Sequence, residues 1–208
     1  FAYPTYGTGM IYNNMADAIV KFGGQVKMKT AVKKVLLDGN KAIGVELMSG
    51  EKMLADEVIS TMPLTLMVKG LDNVPAAVTD ACNQLYYRNT ILVYLEVDAV
   101  DLFPDNWIYV HNPDVKHGRI TNFRNWSPQL YGDKKTSILC LEYWCFDSDE
   151  IWKLDEESFR TLASDEVRKT GLVKTETKIQ NSYTLKLPRC YPVYETGYMK
   201  PISLIKNY

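Results

Sequence analysis

The hydrophobic positions near the start of the chain recur with the period of a helix. Between Met10 and Phe22 they fall on one face, which comprises Ile11, Met15, Ala18, Ile19 and Phe22. Thr8 or Gly9 is the expected N-cap, and Gly23 is the expected residue just beyond the C-terminal end. The segment is therefore predicted to form one amphipathic helix.

Beyond Gly23 the period shortens to two residues, which is typical of half-buried strands. The alternation predicts four short strands, at residues 25–29, 34–37, 43–47 and 52–54. Asp38-Gly39-Asn40 and Ser49-Gly50 separate the last three strands, because glycine tolerates the positive φ of a tight hairpin. Val58–Thr61 is a short apolar run that stops against Pro63 and predicts a buried strand.

The second half of the chain combines strand patterns with one strong helix pattern. Stretches rich in β-branched and aromatic residues predict strands at 90–97, 107–111, 118–123, 136–144 and 179–187. Residues 155–170 begin with acidic and end with basic side chains, as the helix dipole favours, and predict a helix. Residues 64–71 and 75–85 are interpreted as short helices or irregular connectors, and 201–205 as the start of a last helix. The predicted fold class is α+β, with an antiparallel sheet in the second part.

Composition narrows the classes of function. The 208 residues are 46% hydrophobic, which supports a packed core and argues against disorder. The formal net charge is −1, so no overall field attracts nucleic acid or an anionic membrane. No apolar run reaches the roughly eighteen residues that a membrane span needs, and no signal peptide is recognisable.

The cysteines and histidines lack metal-site spacing. They are Cys82, Cys140, Cys145, Cys190, His111 and His117. There is no C-x-x-C pair and no histidine near a cysteine, so a zinc site is not predicted. Reduced thiols are expected, which suits a cytoplasmic protein. The histidines have no serine or carboxylate at a suggestive spacing, and no catalytic residue is assigned.

Short motifs in the first 63 residues follow a characteristic order. They are Tyr3-Pro4, Gly7-Thr8-Gly9-Met10, Gly23-Gly24-x-Val26, Thr30-Ala31-Val32-x-x-Val35, Gly44-Val45, Gly50, Ala55-Asp56-x-Val58-Ile59 and Thr61-x-Pro63. In this order the chain resembles FAD-dependent amine-oxidase-like flavoproteins, which include protoporphyrinogen oxidase, phytoene desaturase and UDP-galactopyranose mutase relatives. Weaker similarity continues through residues 122–128 and Tyr191-Pro192-Val193-Tyr194, which look closest to the mutase-like branch.

The resemblance implies a division of roles along the chain. Residues 1–63 would be the central part of a split FAD-binding domain, and residues 64–208 a substrate-binding domain with an antiparallel sheet. The strand–G-x-G-x-x-G–helix unit that holds the FAD pyrophosphate is not found, nor is the family's C-terminal Gly-Arg…Asp segment. We therefore expect a central fragment that is inactive and does not retain FAD alone, whereas the full-length protein uses FAD.

The resemblance also implies cofactor contacts. The backbone of Val32 would meet the adenine edge of FAD, and the Thr61–Pro63 turn would pack near the dinucleotide. The loop that contains Gly7 and Gly9 would lie beside the flavin and the substrate. It is not itself a dinucleotide fingerprint, because Tyr12 occupies the third glycine position of G-x-G-x-x-G.

Arginines and tyrosines of the second half are candidate substrate ligands. Arg119, Arg124 and Arg189 each offer a guanidinium fork that can bind a carboxylate or diphosphate. Tyr191 and Tyr194 follow Arg189 and could line the same cavity. The expected partner is a small-molecule substrate, for which a nucleotide sugar or another anionic ligand is one option.

Three functions stay open at this point. The first is the central, mainly substrate-binding part of an FAD-dependent oxidoreductase. The second is a flavin-dependent nucleotide-sugar mutase, in which reduced flavin attacks a sugar carbon. The third is a non-enzymatic α+β binding module.

Overall fold

The computed structural model describes residues 2–208, and Phe1 lies outside the described part. The helices are α1 (Gly9–Lys21), α2 (Leu64–Lys69), α3 (Ala76–Asn83), α4 (Glu150–Lys153), α5 (Glu156–Lys169) and α6 (Met199–Lys206). The strands are β1 (Val32–Asp38), β2 (Lys41–Leu47), β3 (Lys52–Leu54), β4 (Tyr87–Val97), β5 (Trp107–Tyr109), β6 (Arg119–Asn122), β7 (Ser137–Cys145) and β8 (Ile179–Pro192). The predicted α+β fold class is confirmed.

The chain divides into two compact units that interleave along the sequence. One contains residues 2–24 and Arg88–Tyr191, and the other contains Gln25–Tyr87 and Pro192–Tyr208. These units do not follow the predicted boundary at residue 63. The reason is that α2 and α3 share an apolar cluster with α6, from the end of the chain. The division into cofactor and substrate domains stays a prediction about roles.

The first unit is built on a five-stranded sheet with the order β5-β6-β7-β4-β8. β7 pairs antiparallel with β4 and with β6, and β5 pairs antiparallel with β6. Alternate residues of β4 and β7 pack against one face of α5 and form a buried core. Its residues include Ile91, Val93, Leu95, Val97, Leu139, Leu141, Tyr143, Phe159, Ala163 and Val167. α5 begins where the Asp155 carboxylate accepts a hydrogen bond from the Ser158 amide at 2.8 Å.

The second unit combines the predicted meander, β1-β2-β3, with three short helices. The hairpin turns contain Gly39 at φ 58° and Gly50 at φ 89°, as their sequences predict. Gly44 lies inside β2 at φ 149°, and a Cβ there would collide with the carbonyl oxygen of Met53 on β3. The helices bury a separate cluster of Val68, Val78, Ala81, Cys82 and Ile205.

Two predicted strands are wrong. Residues 25–29 and 58–61 have no strand conformation, and Ile59 is 91% exposed. A strand is held by ladder hydrogen bonds to a neighbour, and among residues 2–208 neither segment has such a partner. The helix over residues 10–22 is confirmed as α1, but its apolar stripe is solvent-exposed, with Met15 57% and Phe22 86% accessible.

In the described part of the chain, no helix is both long and apolar enough to cross a membrane. All four cysteines are free thiols, and only Cys190 is exposed. Across residues 2–208, no group of three or more His, Cys, Asp or Glu side chains is arranged to hold a metal ion.

Candidate functional site

The face of the five-stranded sheet that points away from the α5 core carries polar and aromatic side chains. Strand register places them in two cross-strand rows, since residues paired across a sheet project on the same side. One row is Tyr109, Arg119, Glu142 and Leu92, and the next is Trp107, Thr121, Cys140 and Tyr94. We call these eight residues the aromatic face.

An ion pair lies in the middle of the aromatic face. The Arg119 Nε donates to Glu142 Oε1 at 2.6 Å, and its Nη2 donates to Oε2 at 2.7 Å. The Nη1 atom donates to the Tyr109 hydroxyl at 3.3 Å. The Glu142 carboxylate raises the pKa of Arg119, so the guanidinium keeps its charge and the two charges cancel.

Tyr94 and Cys140 are two titratable groups of the aromatic face that stay uncharged. Burial raises the pKa of the Tyr94 hydroxyl to about 12 and that of the Cys140 thiol to about 12. Neither group is therefore ionised near neutral pH. The Tyr94 ring lies 6.1 Å from Phe123 and 6.2 Å from Tyr183, so the aromatic surface extends beyond the two rows.

The loop at the start of the chain is fixed beside this face. Tyr3 packs on Trp126 at 4.6 Å, and Trp126 stacks on Trp107 at 5.6 Å. Gly7, a predicted substrate residue, has φ 91° and sits against Leu130, so this loop turns where only glycine is unstrained. Gly9, also predicted, is the first residue of α1, and a Cβ there would meet nothing within 4 Å.

Arg124, a predicted substrate residue, is hydrogen-bonded to the loop between β6 and β7. Its guanidinium donates to the carbonyl oxygens of Lys134 and Thr136 at 3.0 and 2.9 Å. The same group lies 3.8 Å from the centre of the Tyr131 ring. These contacts fasten the loop between β6 and β7 and use the Nη1 donors of Arg124.

Arg189 has an unusual backbone. Its φ is 56°, and its amide donates to the Asn89 Oδ1 atom at 2.9 Å. Asn89 is buried and in turn donates to Asp147 at 2.7 Å. A left-handed residue that is not glycine costs free energy, which the buried Asn89 contact compensates. Tyr191 follows on the same strand and is 51% exposed.

The predicted cofactor residues belong to the second unit. Val32 is 38% exposed and lines a groove of about 230 Å³ with Gln25, Lys27, Thr30, Val45, Leu47 and Met53. Ligand pockets usually measure roughly 300–1,000 Å³, so this groove is smaller than a typical ligand site, and the contact of Val32 with FAD stays a prediction. Thr61 is exposed, and the Pro63 carbonyl accepts hydrogen bonds from the Leu66 and Met67 amides of α2. Tyr194, a predicted substrate residue, is also in this unit and is 70% exposed.

A buried polar cluster on the α5 side of the sheet was not predicted. Glu166 accepts hydrogen bonds from the Lys116 amide at 2.8 Å and contacts the His117 Nδ1 atom at 2.8 Å. Tyr143 also interacts with Glu166. Burial by itself would raise the pKa of Glu166, but these hydrogen bonds outweigh it and lower the pKa below the ordinary value of 4.5. The cluster anchors the segment before β6 to α5.

Sequence reasoning also missed Glu142, Tyr94 and Cys140. The available signal was the alternation along β4 and β7, which separates core residues from those on the opposite face. Alternation shows that Glu142 faces away from the core, but not that Arg119 lies opposite it.

Several solved structures have this fold. A reduced UDP-galactopyranose mutase matches 97% of this chain and 43% of its own length, with TM-score 0.81 and 16% identity. A putative protoporphyrinogen oxidase from Exiguobacterium sp. 255-15 matches the same shares with TM-score 0.73 and 13% identity. A putrescine oxidase bound to putrescine matches 93% and 43%, with TM-score 0.65 and 13% identity. The fold is that of the amine-oxidase-like flavoproteins.

The family follows from the sequence match. The sequence model of the family of flavin-containing amine oxidoreductases matches residues 2–184. The chain therefore belongs to this family, and the resemblance seen in the sequence is confirmed. Chloroplastic prolycopene isomerase from Arabidopsis thaliana is 38% identical over 58 residues, which are 28% of this chain and 10% of that protein. Prolycopene isomerase 1 from an Oncidium hybrid cultivar is 40% identical over 58 residues, with the same shares. The chain thus spans less than half of the solved structures and a tenth of these relatives.

Proposed function

We propose that this chain is the central, mainly substrate-binding part of an FAD-dependent oxidoreductase. The observation that supports it is the aromatic face of the five-stranded sheet, in a chain of the amine oxidoreductase family. FAD would supply the electron transfer, and the protein would bind and orient the substrate. These roles are consistent with the aromatic face, which offers aromatic rings and a neutral ion pair but no side chain with the pKa of a general base.

The residues have distinct proposed roles. Val32 and the Thr61–Pro63 turn hold part of the dinucleotide. Gly7, Gly9 and the aromatic face surround the substrate, together with Arg189 and Tyr191. Tyr194, in the second unit, is a separate candidate substrate contact. Arg119 acts through its pair with Glu142, and Arg124 holds the loop beside the face.

A nucleotide-sugar mutase is the second candidate, supported by the fold match at TM-score 0.81. Such an enzyme needs cationic groups for a diphosphate. Arg119 is paired with Glu142, and Arg124 holds backbone carbonyl oxygens through Nη1, so we assign that role to Arg189. This second candidate predicts that an Arg189→Ala variant loses binding of a UDP-sugar, whereas an oxidoreductase shows no such dependence.

The test of the oxidoreductase proposal uses the product of the whole coding sequence that contains this chain. We expect it to purify with a flavin absorption band that bleaches when a substrate is added without oxygen. The 208-residue chain alone is expected to be colourless and inactive. A whole-gene product without flavin would refute the proposal, and a yellow 208-residue chain would refute the expectation about the fragment.

A further inference from the structure

The two charged side chains of the aromatic face, Arg119 and Glu142, neutralise each other. A charged substrate would need one of these charges to be unpaired. The Arg119 side chain is 28% exposed and Glu142 8%, so the pair lies at the surface of the face without leaving either charge free. Both carboxylate oxygens are used by the guanidinium. An anion that approached Arg119 would meet the field of Glu142, and a cation that approached Glu142 would meet that of Arg119.

Two further charged side chains near this face, Glu96 and Arg124, are hydrogen-bonded to other groups of the fold. Glu96 accepts hydrogen bonds from Thr136 at 3.0 Å and from Asn181 at 2.7 Å, and it lies in the field of Lys134. Arg124 is bound to backbone carbonyl oxygens, as described above. Neither side chain belongs to the two rows of the aromatic face, so the charge balance within those rows rests on Arg119 and Glu142.

Accessible rings lie at both edges of the sheet, with the ion pair between them. Trp107 is 41% exposed and Tyr109 54% exposed on β5, at one edge. Tyr183 is 58% exposed on β8, at the other edge, next to Tyr94. Accessible rings bind flat molecules by stacking and edge contacts, without any need for charge.

Building on the proposed function, we infer that the aromatic face binds an uncharged, flat, ring-containing or unsaturated substrate. Glu142 determines this specificity, because it cancels the one guanidinium that points into the face. Without Glu142, Arg119 would make the same surface a site for anions.

The binding test uses three naphthalene probes that differ in charge, with the 208-residue chain at pH 7. They are neutral N-phenyl-1-naphthylamine, anionic 1-anilinonaphthalene-8-sulfonate and cationic 1-naphthylmethylamine, followed by fluorescence titration. We expect the neutral probe to bind tightest. Tyr183→Ser should weaken it by about two- to tenfold, the contribution of one aromatic contact. Phe22→Ser, on the exposed stripe of α1, is the matched control and should leave the Kd unchanged.

Charge variants then test the role of Glu142. Glu142→Gln should raise the affinity for the sulfonate, relative to the neutral probe, by about tenfold, since it frees a charged donor. If that variant does not fold, the double change Arg119→Gln with Glu142→Gln should still bind the neutral probe as the wild type does. The inference is overturned if the wild type prefers a charged probe, if Tyr183→Ser has no effect, or if the folded Glu142→Gln variant gains nothing. None of these results bears on flavin content, so the oxidoreductase proposal would fail or stand separately.

Discussion

Replacing Glu166 by alanine should destabilise the first unit through the buried polar cluster behind the sheet. Glu166 is 3% exposed and is the acceptor for the Lys116 amide, with the His117 ring and Tyr143 beside it. Alanine would leave the fully buried His117 side chain and the part-buried Lys116 amide without this partner. The His117 side chain is fully buried and contacts Glu166 through Nδ1, so solvent cannot replace the lost bond without local opening.

The magnitude follows from the number of groups left unpaired. Each buried donor without a partner costs about 1–3 kcal/mol, and removing one member of a buried polar pair costs about 3–5 kcal/mol. We therefore expect a loss of about 3–5 kcal/mol for Glu166→Ala, against a total of roughly 5–15 kcal/mol for a domain. Glu166→Gln keeps an acceptor oxygen and should lose less.

Urea unfolding followed by circular dichroism measures this loss. Asp165→Ala changes an exposed carboxylate one position earlier on α5, and is expected to stay within about 0.5 kcal/mol of the wild type. The folded-state pKa of Glu166 is lowered, so its contribution is fully present above the unfolded value near 4.5 and disappears as pH falls through the folded value. The gap between wild type and Glu166→Ala should therefore narrow below about pH 4.5. Equal stability of Glu166→Ala and Asp165→Ala at pH 7 would show that the cluster is not an anchor.

Two further predictions concern packing and backbone geometry. Phe159 is fully buried between α5 and the sheet, so Phe159→Ala should cost about 3–5 kcal/mol in urea unfolding, whereas exposed Phe22→Ala should cost less than about 0.5 kcal/mol. Gly44→Ala should lower the melting temperature because its φ of 149° is strained for alanine and the Cβ meets the Met53 carbonyl, while Gly9→Ala should leave it unchanged or slightly higher. Similar costs for the two members of either pair would contradict the packing described above.

Local sequence patterns determined most of the helices and strands of this protein. The α1 helix, the meander and its glycine turns, the strands of the larger sheet and the helix α5 follow from periodicity and turn chemistry, which act over a few residues. The amine-oxidase-like family was also recognisable from the order of short motifs in the first 63 residues, and the family match confirms it.

Only the tertiary structure shows which residues that are far apart in the sequence are in contact. Arg119 and Glu142 are 23 positions apart, and only the register between β6 and β7 makes them a neutral pair rather than a free arginine. Residues 25–29 and 58–61 have strand-like patterns but no partner strand among residues 2–208. Without a partner strand they cannot form the hydrogen bonds that stabilise a strand. Hydrophobic periodicity and turn sequences depend on residues that are close in the sequence. Strand pairing, charge neutralisation and burial depend on which distant segments the fold brings together.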